Sequence, residues 1–165
     1  MRWFWIDKFV EFESGARAVA VKNVSLAEEH LHDHFPGHPV MPPALMIEAM
    51  AQTGGILVGE MRDFREKVIL AKITRATFHS EARPGDQLHL EATVENVADE
   101  AATIRGTIRC GERAVAEIEL MYSHIDQNLG GVEFPEENFV FGSGQFLSIL
   151  ETFQGKNTSE SGASA

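Results

Sequence analysis

The run ALMIEAMAQTGGILV, Ala44–Val58, constrains this chain more than any other stretch. Leu45, Met46, Ile47, Met50, Ile56, Leu57 and Val58 fall on several faces of a helix, and Glu48 is its only charge. A helix that is apolar on nearly all sides is stable in water only when it is covered on nearly all sides. Pro42 and Pro43 stand where such a helix begins, because the N–H groups of a first turn have no intrahelical partner and a proline there forfeits nothing.

The flanking sequence supplies the cover. Ile6–Val24 predicts two strands around a Ser14–Gly15 turn, and the His- and Pro-rich segment from Glu28 to Pro42 predicts an irregular loop. Four extended stretches follow, Val68–His79, Gln87–Val97, Ala101–Cys110 and Arg113–His124, with hairpin-sized connections between the last three, which predicts an antiparallel meander. About six strands and one long apolar helix give an α+β fold, in which a curved antiparallel sheet wraps the helix.

A length of 165 residues suits one core. The expected division is a domain over 1–125, an extension over 126–154, and a disordered tail over 155–165. Within the extension, Phe146, Ile149, Leu150 and Phe153 form a short amphipathic helical stripe, expected to dock on the domain or on a second subunit, with a lid over a substrate channel as the alternative. With 44% hydrophobic and 24% charged residues the composition is that of a soluble globular protein. The aromatic N-terminus is broken by Arg2, Asp7 and Lys8 too early for a signal-peptide core, and no run is long enough to span a membrane, so the expectation is a cytoplasmic protein. A net charge of −11 argues against nucleic acid as a partner, since phosphate binding needs clustered cations. The single cysteine, Cys110, has no intrachain disulfide partner and is expected to be a buried strand residue.

Glu48, Gln52, Gly55 and Gly59 are spaced to share one helix face. Burial among apolar side chains disfavours the ionised form of a carboxylate, so Glu48 is either a structural acceptor, tied to Gln52 or to backbone N–H groups, or a general acid. Gly54, Gly55 and Gly59 each weaken a helix by up to about 1 kcal/mol relative to Ala, which points to close approach of a ligand or another backbone along that face. His30, His32, His34 and His38 invite a metal reading, but a binuclear site needs further ligands that the other histidines do not supply, so no metal is expected. His34, in a proline-stiffened loop, is the best-placed candidate for a general base.

The string HFPGHPVMPPALMIEAMAQTGGIL, together with GARAVAVKNVS upstream and RPGDQLHLEA downstream, closely resembles the 3-hydroxyacyl-[acyl-carrier-protein] dehydratases of bacterial type II fatty acid synthesis. The likeness extends from about Ile6 to Tyr122. It implies the hot-dog fold, a curled antiparallel sheet around a central helix. It also implies that His34 takes the α-proton of a 3-hydroxyacyl thioester and that Glu48 protonates the departing hydroxyl. The two come from different subunits of a dimer, or of a higher oligomer built from dimers. Gln52 orients Glu48, Gly55 lies at the acyl channel, and Phe35 and the Ala44 N–H complete the substrate contacts. No metal or organic cofactor is implied, because the phosphopantetheine arm arrives with the acyl carrier protein. Arg62, Arg65 and Lys67, followed by Lys72, Arg75 and Arg83, are the expected landing patch for that acidic partner.

The chain departs from the family at one point. The family has Pro-Gly at the helix start, and its glycine N–H points at the thioester carbonyl, whereas Pro43 has no N–H to offer. Three alternatives to a dehydratase follow: a thioesterase in which Glu48 activates water, a noncatalytic acyl-chain binder, or a partner subunit for an active homologue.

Overall fold

The structure, a computed structural model, describes residues 4–125; the amphipathic stripe of the extension and the tail lie outside the described residues. Strands β1 (Lys8–Glu13) and β2 (Arg17–Asn23) form the expected hairpin, with Gly15 at φ 70° turning the chain. A short helix α1 (His30–Asp33) follows, and then α2 (Pro43–Glu60), β3 (Lys67–Phe78), β4 (Gln87–Val97), β5 (Ala101–Cys110) and β6 (Arg113–Ile125). The six strands make one antiparallel sheet in the order β1-β2-β4-β5-β6-β3. This is the hot-dog arrangement, α+β with the sheet curled around α2.

Alternation along the strands explains how the sheet meets the helix. In β5, Ala102, Ile104, Gly106 and Ile108 are buried while Arg105 and Arg109 face solvent, and β2 and β4 contribute Ala18, Ala20, Leu88, Leu90 and Ala92 to the same face. The small residues at these positions let α2 lie close to the strands. Gly106 leaves the space that the Met50 side chain occupies. Ile56, Leu57 and Val58 of α2 are each 0% exposed, and burial of each contributes about 1.5–3 kcal/mol.

Three local features differ from the expectation. The segment before α2 is not wholly irregular: Leu31, 1% exposed, anchors α1, where the Leu31 and His32 N–H groups bond to the Glu28 and Glu29 carbonyls. β3 does not continue the meander into β4. It crosses to the far side and pairs with β6, where Ile73 meets Leu120 and Ala76 meets Ile118, so β3 is an edge strand. The β4–β5–β6 meander itself stands. Cys110 is only half-buried, because it ends β5 beside the Gly111 turn rather than lying within the sheet. No helix among the described residues is long and apolar enough to cross a membrane.

Candidate active site

Helix α2 opens with Pro42 in extended geometry (φ −56°, ψ 135°) and Pro43 as its first residue. The Leu45 N–H donates to the Pro42 carbonyl at 2.9 Å and the Met46 N–H reaches the same oxygen at 3.3 Å. Pro43 has no donor, so the exposed Ala44 N–H is the one open backbone donor at this end of the helix. It sits where the helix dipole favours negative charge.

One turn further on is Glu48. Its Oε1 accepts from Gln52 Nε2 at 2.9 Å, and Gln52 Oε1 in turn accepts from the Trp5 N–H at 2.9 Å. Gln52 is 7% exposed, so this short chain of bonds enters the protein interior. Glu48 itself is exposed in the single chain, contrary to the expectation of a buried carboxylate. The apolar pattern of α2 required cover all round, but in the single chain the helix is buried throughout only from Ala49 to Gly59, and before Glu48 only Met46 is buried.

His34 is the residue after α1 and lies in a self-bonded turn. Phe35 and His38 exchange backbone hydrogen bonds at 3.0 and 2.9 Å across Pro36 and Gly37, with Gly37 at φ 76°. The Val40 N–H donates to the His34 carbonyl at 2.9 Å, and the Met41 N–H ties the loop to the Ala82 carbonyl at 2.8 Å. His34 Nδ1 lies 2.9 Å from the Val40 carbonyl oxygen. A nitrogen facing a carbonyl must carry the hydrogen, which leaves Nε2 with its lone pair free to accept a proton. The ring stacks on Phe35 with centroids 4.3 Å apart.

Within one chain, His34 and Glu48 share no hydrogen bond among the described residues. The arginines are farther away. From Ala44 to Glu60 the helix advances about 24 Å, and Arg62 and Arg65 lie beyond its end. Both are already paired, Arg62 with Glu66 at 3.2 Å and Arg65 with Asp63 at 2.8 Å, while Lys67 opens β3, half-buried. Gly55 is buried within α2. Two of the helix glycines serve the chain's own packing rather than a ligand: a Cβ at Gly54 would lie 2.6 Å from Ile104 Cδ1 and 2.7 Å from the Tyr122 hydroxyl, and one at Gly59 would lie 2.9 Å from the Phe64 ring. No cluster of three or more metal-ligating side chains occurs among the described residues.

Sequence reasoning missed two contributors. Tyr122, 2% exposed, donates its hydroxyl to the Ala51 carbonyl at 2.9 Å and so braces α2 from behind; burial, then the charge of Glu48, push its ionisation upward. Its signal was the inward rhythm Ile118, Leu120, Tyr122 in β6. Trp5 had no such signal, because its contribution is a main-chain N–H.

Comparison with known proteins identifies the family and the fold. A FabA-like domain matches residues 3–119. The chain is 40% identical over 119 residues to the 3-hydroxyacyl-[acyl-carrier-protein] dehydratase FabZ of Pelotomaculum thermopropionicum, covering 72% of this chain and 85% of that protein. Among solved structures, the dehydratase heterocomplex ApeI:P from Xenorhabdus doucetiae superposes with a TM-score of 0.61 at 17% identity, over 73% of this chain and 82% of that one. The fluoroacetyl-CoA thioesterase FlK superposes with a TM-score of 0.59 at 16% identity, over 70% and 90%, so the fold alone is common to both chemistries. Matched across most of the described domain and at this identity to FabZ, the chain belongs to the FabA-like family of 3-hydroxyacyl-acyl carrier protein dehydratases.

Proposed function

We propose that the chain dehydrates 3-hydroxyacyl groups carried on acyl carrier protein to trans-2-enoyl thioesters, with His34 as base and Glu48 as acid. The observation that carries this assignment is the pair of oriented side chains: His34 Nδ1 is committed to the Val40 carbonyl, which frees Nε2, and Glu48 Oε1 is committed to Gln52, which leaves Oε2 for the substrate. His34 Nε2 removes the proton on C2, the electron pair forms the C2–C3 double bond, and the C3–O bond breaks as Glu48 gives its proton to the leaving hydroxyl. The products are the enoyl thioester and water. His34 ends protonated and Glu48 deprotonated, and return of that proton to Glu48 resets the site. Charge that builds on the thioester oxygen is met by the Ala44 N–H, since Pro43 has no N–H to add.

A second copy of the chain completes the site. Glu48 is exposed in the single chain and Phe35 is 55% exposed beside His34. The edge strand β3 presents Leu70 at 38%, Ile73 at 46% and Phe78 at 37% exposure, an apolar edge that a second β3 can pair and cover. In such a homodimer His34 of one chain serves Glu48 of the other. The carrier protein docks, on this proposal, at Arg62, Arg65 and Lys67; reversing both arginines to Glu should weaken use of the carrier-bound substrate and spare a small thioester mimic.

The test is to incubate the purified protein with a 3-hydroxyacyl-carrier protein and follow enoyl absorbance. Enoyl formation that Glu48→Gln abolishes supports the assignment. A free acid with released thiol would make the protein a thioesterase, and no product from a folded protein would leave it an acyl binder or partner subunit.

A further inference from the structure

Trp5 touches the supports of both reacting groups of its own chain. Its N–H donates to Gln52 Oε1, and Gln52 then presents its NH2 end to Glu48. An amide has one acceptor end and one donor end, so a backbone donor on Oε1 decides which end faces the carboxylate. On the other side, the Trp5 indole meets the His30 ring edge-on, with centroids 5.3 Å apart and planes at 72°. His30 opens α1, and His34 is the residue that closes it. The Lys22 ammonium lies 5.7 Å from the Trp5 ring centroid and is paired with Glu28, the neighbour of His30. Trp5 is 8% exposed and Lys22 6%, so these contacts are shielded from water.

We propose that Trp5 is a positioning residue for both halves of the site, fixing Glu48 through Gln52 and His34 through His30, a role that rests on the assignment of base and acid made above. In a dimer that draws each site's base and acid from different chains, one Trp5 then acts on two sites. Its effect falls on the chemical step rather than on substrate affinity, because it acts through Gln52 and His30, the supports of the reacting groups.

The test compares Trp5→Ala, Trp5→Phe and Gln52→Leu, singly and with Trp5→Ala on Gln52→Leu, alongside wild type and Glu48→Gln. Trp5→Ala should lower kcat about tenfold with KM within about threefold, and Trp5→Phe, which keeps a ring against His30, should restore kcat to within about twofold. Trp5→Ala keeps the N–H but removes the indole that holds this main chain in place; on the Gln52→Leu background its cost should therefore shrink by about threefold or more, because a displaced N–H no longer affects Glu48. An unchanged kcat in Trp5→Ala, a loss that Trp5→Phe does not rescue, or an undiminished loss on Gln52→Leu would overturn the proposal. If Trp5→Ala does not fold, Trp5→Leu, which keeps apolar volume but offers no ring, replaces it under the same criteria. Failure of wild type to dehydrate, or activity surviving in Glu48→Gln, would instead overturn the assignment of the acid and base.

Discussion

The two ends of α2 obey different rules. From Ala49 to Gly59 every residue is buried, and Gly54 and Gly59 leave room only for the chain's own Ile104, Tyr122 and Phe64 side chains. From Pro43 to Glu48 the same helix is largely open: Pro43, Ala44 and Glu48 are exposed and the Ala44 N–H has no helical acceptor. One end is held by packing, and the other is the open end where the proposed function places the chemistry. Substitutions at the buried end should therefore cost stability, and those at the open end should cost rate.

The sharpest way to break this contrast is at Glu48. Glu48→Gln should lower kcat by about 100- to 10,000-fold, the usual contribution of a positioned acid, while the melting temperature stays within a degree or two of wild type, on the order expected for an exposed site. The same variant sharpens the claim that the open end is closed by a partner. Mixing inactive His34→Ala with inactive Glu48→Gln under conditions of subunit exchange should restore about a quarter of wild-type activity, since half the dimers are mixed and each has one intact site. No recovery from chains shown to exchange would place both groups of a site on one chain.

Pro43→Gly is the next largest effect. Restoring a second backbone donor at the helix start should raise kcat by about tenfold or more, and glycine at that position should reduce stability by about 1 kcal/mol. A gain in rate without any loss in melting temperature would mean that Pro43 adds no rigidity. At the buried end, Gly54→Ala should cost about 1–3 kcal/mol through overpacking against Ile104 and Tyr122, read from urea melts. If it proves neutral, the helix has room that the packing denies.

The smallest effect is a pH dependence of stability. Burial, the largest influence, lowers the ionisation of His30 and His124 below the ordinary histidine value of 6.5, and the charges of Glu28 and Glu66 oppose it only in part. Above that ordinary value both states are neutral and the contribution of each histidine is complete. As pH falls below it, the unfolded chain takes up protons that the folded chain resists, so stability is lost down to the folded values. Melting temperature should therefore decline as pH falls below about 6.5, and His124→Gln should flatten that decline.

Much of this was legible in the residues themselves. The apolar run of α2 demanded a wrapping sheet, and the Ser14–Gly15 and Gly111–Glu112 turns and the strand rhythm marked its strands to within a residue or two. The His34 loop and the Glu48–Gln52 spacing carried the candidate site, because i and i+4 on a helix are neighbours whatever surrounds them. The position of β3 was not legible. A long connection from Phe78 to Gln87 is compatible with either neighbour, and the choice of β6 rests on pairing between residues some forty to sixty positions apart.

The sequence by itself determined which groups the chain has to offer: an imidazole in a stiffened turn, a carboxylate one turn into a helix, and a proline where a donor would otherwise be, all of which follow from local covalent and helical geometry. Tertiary structure decided how those groups are held. The Trp5 N–H on Gln52, the Tyr122 hydroxyl on Ala51 and the exposure of Glu48 each join elements distant in sequence. A backbone donor has no residue code of its own, and no pattern along the chain states which side of a helix the sheet will leave uncovered.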